Sequence, residues 1–170
     1  MICNYSQFIK ESTSDDNYIF LDIDGVVIPY DRDSKFDYHK FFNMKEKWSK
    51  EAISVLNQIC KEYNCKVVLI TSYISSKPFI EIKDKLKELG FNGKVVDELK
   101  YHYGKENRFE NISYYVKEKG ISNYVVIDDQ RHDIDKDPEI RKHWCNTHSK
   151  DGLKKEHLSK IKSILNKKTH

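Results

Sequence analysis

Three short polar clusters, each directly behind an apolar run, are the residues of this chain best suited to chemistry. Asp22 and Asp24 with Gly25 follow Tyr18-Ile-Phe-Leu, Thr71 and Ser72 follow Lys66-Val-Val-Leu-Ile70, and Asp128 and Asp129 follow Tyr124-Val-Val-Ile127. Four carboxylates gathered at one place would repel and raise one another's pKa, so the set implies a bound cation. Oxygen-only donors favour Mg²⁺, which takes one or two carboxylates and leaves positions for water and a phosphate oxygen. The seven His residues do not cluster with these carboxylates in the sequence, which argues against a softer metal. A phosphoryl group held there is open to in-line attack by one carboxylate, provided a second acid protonates the leaving oxygen. Asp22 and Asp24 suit those two roles. Each cluster alone also has a plain structural reading, since Asp-Gly after a strand is a common turn and Asp-Asp a loop or helix cap. Coincidence is a poor account of all three in this order.

The elements that must position these clusters follow from periodicity. Tyr18 to Ile23 is a short run of β-formers closed by Asp-Gly and predicts a buried strand. Trp48, Ala52, Val55, Leu56, Ile59, Cys60 and Tyr63 recur at helical spacing, and Lys66 to Ile70 is a second buried strand. A second helix has Ser76 as N-cap and Pro78 in its first turn, a stripe of Phe79, Ile82, Leu86 and Leu89, and Gly90 as its stop. A short strand around Lys94 to Val96 precedes a helix opened by Asn107, with Glu110 three positions on. That helix carries Phe109, Ile112 and Val116 inward and stops at Gly120. Tyr124 to Ile127 forms the fourth strand, Trp144 marks an edge strand, and Leu158, Ile161, Ile164 and Leu165 mark a C-terminal helix. Helices alternating with doubly apolar strands predict an α/β, three-layer, Rossmann-like fold, a mostly parallel sheet with helices on both faces. Ligands in such sheets bind beyond the carboxyl ends of the strands, where crossovers go to opposite faces, so the three clusters should converge.

Length and composition bound the rest. At 170 residues the expectation is one domain over 1–170, with 1–17 as an N-terminal extension. A formal charge of +3 leans weakly toward anionic partners, and the mixed tail from Lys150 to Lys168 is read as a solvated helix face. Cys3, Cys60, Cys65 and Cys145 have no metal-ligand spacing and are expected as reduced thiols. Met1 to Asn17 lacks an apolar signal core, and no run of about 18 apolar residues offers a membrane span, so a soluble, cytoplasmic protein with no membrane partner is expected.

Phe20-Leu-Asp-Ile-Asp-Gly-Val-Val27, Val67-Val-Leu-Ile-Thr-Ser72 and Val125-Val-Ile-Asp-Asp129 resemble the first, second and fourth motifs of the haloacid-dehalogenase-like (HAD) phosphohydrolases. The resemblance runs from about Tyr18 to Leu165. It implies Asp22 as nucleophile and metal ligand, and Asp24 as general acid/base and a ligand through its backbone carbonyl. Thr71, with Ser72 and nearby N–H groups such as that of Gly25, would hold the phosphoryl oxygens. Asp128 and Asp129 would complete the Mg²⁺ site. The third motif is a lone cation, which either Lys105 or Arg108 fits; Arg108-Phe-Glu-Asn-Ile112 resembles the helix start of one branch and favours Arg108. Together with the tail around Gly152-Leu153, the chain is similar to the HAD domains of Swiss Army Knife RNA repair proteins.

The 46 residues between Asp24 and Thr71 leave room for no large cap domain, only for a short cap-like loop over 26–47. Tyr30, Arg32, Lys35, Tyr38 and His39 in that loop are of types that stack a base and contact phosphate, with Tyr30, Arg32 and His39 as the candidate substrate-binding residues. An aromatic minicore packing the loop down is the equal alternative. An uncapped site accepts the end of a polymer better than a small metabolite. The resemblance therefore implies an Mg²⁺-dependent phosphatase working through an aspartyl-phosphate, with a phosphorylated substrate such as an RNA or DNA end. A nucleotide phosphatase and a phospho-ligand binding module without turnover are the alternatives, and transfer to an acceptor other than water is a third. His132, Asp133, Asp135 and Asp137 read either as a second cation site or as a solvated acidic loop.

Overall fold

The computed structural model describes residues 16–32, 42–71, 77–99, 108–130 and 137–166. Five strands form one sheet: β1 (Asn17–Leu21), β2 (Cys65–Leu69), β3 (Lys94–Glu98), β4 (Tyr124–Asp128) and β5 (Trp144–Asn146). Their order is β3-β2-β1-β4-β5 and every pairing is parallel. Five α-helices lie wholly among the described residues: α1 (Lys50–Tyr63), α2 (Phe79–Glu88), α3 (Arg108–Lys119), α4 (Pro138–Lys142) and α5 (Leu158–Leu165). The fold is α/β, as the alternating pattern predicts. No described helix is long and apolar enough to cross a membrane.

Period-two alternation sends neighbouring side chains of each strand into different cores. Ile19, Leu21, Val67, Leu69, Val125 and Ile127 pack with Leu56 and Ile59 of α1, Ile82 and Leu86 of α2, and Ile161, Ile164 and Leu165 of α5. Phe20, Val68, Ile70, Tyr124 and Val126 pack instead with Phe109 and Ile112 of α3 and Ile140 of α4. Each fully buried Ile, Leu or Phe contributes roughly 1.5–3 kcal/mol of transfer free energy, so both faces are covered for the same reason. The connections after β1 and β2 thus run over one face and those after β3 and β4 over the other. That change of face falls between the adjacent strands β1 and β4, which opens a crevice at their carboxyl ends.

Several boundaries differ from the periodic reading. Trp48 precedes α1; Ser49 is the N-cap and its hydroxyl accepts from the Ala52 N–H at 3.1 Å. The Trp48 side chain packs edge-on against Phe42, with ring centroids 5.7 Å apart, and donates Nε1–H to the Phe42 carbonyl. This end of the 26–47 loop is therefore an aromatic minicore. At its other end Val26, Val27 and Ile28 are completely buried and belong to the core. Pro78 occupies the N-cap position of α2, one residue before the helix, while Ser76 and Asn107 lie outside the described residues. Strand β3 runs longer than predicted and carries a bulge: Val67 pairs with Val95 and Val68 with Asp97, which leaves Val96 unpaired and exposed. Asp137 is a cap. Its Oδ1 accepts from the N–H groups of Glu139 and Ile140 at the start of α4, and its Oδ2 accepts from the Ser113 hydroxyl. His132, Asp133 and Asp135 lie outside the described residues. Cys60, Cys65 and Cys145 are free thiols.

Candidate active site

The parallel registers carry the polar clusters to one edge. Leu21 pairs with Leu69 and with Ile127, so the next residues, Asp22, Ile70-Thr71 and Asp128, emerge side by side. The Asp22 N–H continues the ladder by donating to the Ile127 carbonyl at 3.0 Å, and the Ile70 N–H donates to the Leu21 carbonyl at 2.9 Å. Behind Asp22 the chain turns back at once. The Ile23 carbonyl accepts from the N–H groups of Val26, Val27 and Ile28, and Gly25 takes the left-handed region at φ 70°. Asp22, Asp24, Thr71, Asp128 and Asp129 are all buried.

Three of these carboxylates converge. Asp22, Asp128 and Asp129 each offer an oxygen, and the three oxygens lie within 4.8 Å of one another. The Asp24 carboxylate is not part of that group. Arg108, the first residue of α3, reaches between two of the three: its Nη1 is 2.7 Å from Asp22 Oδ2 and 2.5 Å from Asp128 Oδ2. Asp22 Oδ1 accepts from the Ile23 N–H at 2.7 Å, and Asp128 Oδ1 from the Gln130 N–H at 2.8 Å. On the open side Arg32 Nη2 pairs with Asp129 Oδ2 at 2.9 Å and donates to the Asp129 carbonyl at 3.2 Å. Gly25 makes that approach feasible, because a Cβ there would lie 2.3 Å from both Cγ and Oδ2 of Asp129.

The electrostatics are those of an under-compensated anionic site. Burial pushes the carboxyls of Asp22, Asp128 and Asp129 above the usual carboxylate range, and the Arg108 and Arg32 guanidiniums only partly oppose it. Arg32 is held above its ordinary value, chiefly by the hydrogen bond to Asp129. Among the described residues three carboxylates face two guanidiniums, and Asp129 Oδ1 is buried with no hydrogen-bond partner. An all-oxygen donor set of this charge, with one acceptor still unsatisfied, fits a hard divalent cation.

Of the predicted site residues, Arg108 enters the carboxylate cluster directly. Lys105, Ser72, Lys35, Tyr38 and His39 lie outside the described residues. Arg32 faces Asp129, with Tyr30 a lesser influence on its charge. Periodicity did not single out the segment behind β5. The Thr147 hydroxyl donates to the Gly25 carbonyl at 3.0 Å, the Tyr30 N–H donates to the Ser149 carbonyl at 2.7 Å, and the Leu153 N–H to the Val26 carbonyl at 2.8 Å. Gly152, at φ 67°, has the Val26 oxygen 2.6 Å from where a Cβ would stand. The available signal was polar Thr147 and Ser149 directly behind an edge strand on the same sheet edge, with a glycine following.

An open parallel sheet with a buried carboxylate triad at its point of reversal, bridged by the first residue of α3, places the chain among the doubly wound α/β proteins that take ligands in that crevice. Within that class, the profile of the HAD domain in Swiss Army Knife RNA repair proteins matches residues 18–158, and the chain belongs to this family. No curated protein and no solved structure shows significant similarity to it. Membership supports a phosphatase-type hydrolase activity and a phosphorylated substrate.

Proposed function

We propose that the chain is an Mg²⁺-dependent phosphomonoesterase that works through an aspartyl-phosphate on Asp22 and acts on polynucleotide ends. The observation that carries this reading is the placement of Asp22, whose carboxylate is buried within 4.8 Å of Asp128 and Asp129 oxygens and tied to Arg108. Asp22, Asp128 and Asp129, with the backbone carbonyl of Asp24, would hold the cation, which when bound offsets the charge of the phosphate and fixes its orientation. Thr71 receives a phosphoryl oxygen, whereas the Gly25 N–H expected beside it is spent within its own turn, on the Ile28 carbonyl at 2.9 Å. A carboxylate oxygen of Asp22 attacks phosphorus in line as the bond to the leaving oxygen breaks, and Asp24 donates its proton to that oxygen. Asp24 then takes a proton from the water that cleaves the acyl phosphate and restores Asp22. Arg108 stabilises charge that builds on the transferring group.

Support for a polymer end is threefold. The family's description names RNA repair proteins, the segment between Asp24 and Thr71 is too short for a large cap, and its first residues are spent on the core. The half-exposed Arg32 adds positive charge beside Asp129.

The deciding experiment is phosphate release from an aryl phosphate, from mononucleotides and from 3′- and 5′-phosphorylated oligonucleotides, with Mg²⁺ or EDTA. Wild type should turn over only with Mg²⁺ and fastest on oligonucleotide ends, and Asp22→Asn should abolish release while the protein stays folded. Faster release from mononucleotides would move the substrate to nucleotides. No release from any of them by folded protein would refute the phosphatase reading in favour of a binding module.

A further inference from the structure

Resting on the metal-dependent reading above, we propose that Thr147 is a positioning residue that holds the two ligand-bearing turns in a single register. Its side chain takes no part in the chemistry.

Thr147 follows β5 and is only 1 % exposed. A buried hydroxyl is costly unless it is hydrogen-bonded, and this one is spent on the Gly25 carbonyl at 3.0 Å, across 122 positions of sequence. The N–H of the same residue donates to the Asp128 carbonyl at 3.2 Å. Thr147 thus grips the Asp24-Gly25 turn with its side chain and the Asp128-Asp129 turn with its backbone. Trp144 Nε1–H gives the Asp128 carbonyl a second donor at 3.3 Å, so that end of the bridge is doubly held.

The two turns also touch directly. The Asp129 carboxylate occupies the space a side chain on Gly25 would need, which leaves little slack for sliding one turn past the other. The Gly25–Val26 peptide is held from two sides, its N–H by the Ile23 carbonyl at 3.3 Å and its carbonyl by the Thr147 hydroxyl at 3.0 Å, and the hydroxyl is the side-chain contribution. The Asp24 carbonyl lies one peptide plane back, joined to this one through the Gly25 Cα, so a shift of Gly25 on loss of the hydroxyl displaces the backbone oxygen assigned to the cation. Ser149 and Leu153 anchor the next stretch, at Tyr30 and Val26, by backbone bonds that any residue there would make. Lys150 adds an exposed ion pair to Asp31 at 2.9 Å farther along, whereas the Thr147 side chain is buried and bonds the Gly25 turn itself. Residues that hold ligands in place commonly matter about 10–100-fold for metal affinity or activity.

The test compares Thr147→Val, which keeps the shape and loses the hydroxyl, with Thr147→Ser, which keeps the hydroxyl and loses a methyl. Mg²⁺ binding is measured by calorimetry without substrate, and phosphate release from an aryl phosphate at saturating Mg²⁺. The Val variant is expected to bind Mg²⁺ about tenfold more weakly and to lose about tenfold in kcat, with KM little changed. The Ser variant should restore both. Should the Val variant not fold, Thr147→Ala against Thr147→Ser isolates the hydroxyl instead. Val or Ala binding Mg²⁺ and turning over like wild type, or Ser failing as badly as they do, would overturn the positioning role and leave only packing. Wild type that binds no Mg²⁺ would overturn the metal reading beneath it, a result visible before any variant is made.

Discussion

Replacing Gly25 by Ala tests the geometry of the site without presupposing its reaction. The residue stands at φ 70°, where a Cβ costs about 1–2 kcal/mol. That Cβ would also lie 2.3 Å from Cγ and Oδ2 of Asp129, closer than any real contact, so the carboxylate must swing away from Arg32. The ion pair lost is half-exposed on the arginine side, at 54 %, and is worth at most about 1 kcal/mol. The sum is about 1–3 kcal/mol, or a fall in Tm of roughly 2–12 °C for a chain of this size. Thermal unfolding in EDTA measures it. A second melt with Mg²⁺ separates strain from site damage: ligand at a hundred times its Kd stabilises the native state by about 2.7 kcal/mol, and a displaced Asp129 should erase most of that increment. A Gly25→Ala protein that melts with wild type in EDTA and gains the same increment from Mg²⁺ would refute the account of why this position is glycine.

Arg108→Ala leaves Asp22 and Asp128 buried with no guanidinium between them; breaking a buried pair in this way costs roughly 3–5 kcal/mol, which a urea titration in EDTA at neutral pH should show. The same variant should release phosphate far more slowly than Lys105→Ala, and equal, mild losses would remove Arg108 from the motif-three role. Asp137→Ala removes the cap of α4 and should cost about 1 kcal/mol. Burial alone would raise the Asp137 carboxyl, but the Ser113 hydroxyl and the N–H groups of Ile140 and Glu139 outweigh it and hold its pKa below 3.8. A depressed folded-state pKa gives stability that is present above 3.8 and lost as pH falls through the lower value, so wild type and variant should converge at strongly acid pH. Gly152→Ala at φ 67°, with the Val26 oxygen in the way, should destabilise by about 1–3 kcal/mol and weaken Mg²⁺ binding, read by the same melts.

How much of this was legible in the sequence depends on whether the signal is local. Apolar runs such as Ile19-Phe-Leu21 and Val125-Val-Ile127 announce buried parallel strands, and rule-bound ligand placement at their carboxyl ends gathers Asp22, Thr71 and Asp128 before any coordinates. Arg108 was one of two candidate cations because nothing in a helix start says which basic side chain turns inward. Trp48 carried the helical period without being helical, since Ser49 supplies the cap just after it. Asp137 looked like part of an acidic loop although Asp137-Pro138 is a helix-start pattern, and only its bond to Ser113, 24 positions away, has no local signature. The links from Arg32 to Asp129 and from Thr147 to Gly25 span 97 and 122 positions, and only the assembled sheet brings those residues within reach.

The central pairing of β1 with β4 has a consequence for how the protein comes into being. Tyr18 aligns with Tyr124, so the two strands that carry Asp22 and Asp128 are joined across 106 positions, the kind of distant pairing that forms late in folding. A growing or partly refolded chain that has made only the β1–β2 pairing, Tyr18 on Lys66, holds Asp22 without its partner carboxylates. The proposed cation binding is thereby a property of the finished sheet alone. Its recovery after dilution from denaturant would time the last docking step, while helix signals would report the earlier ones.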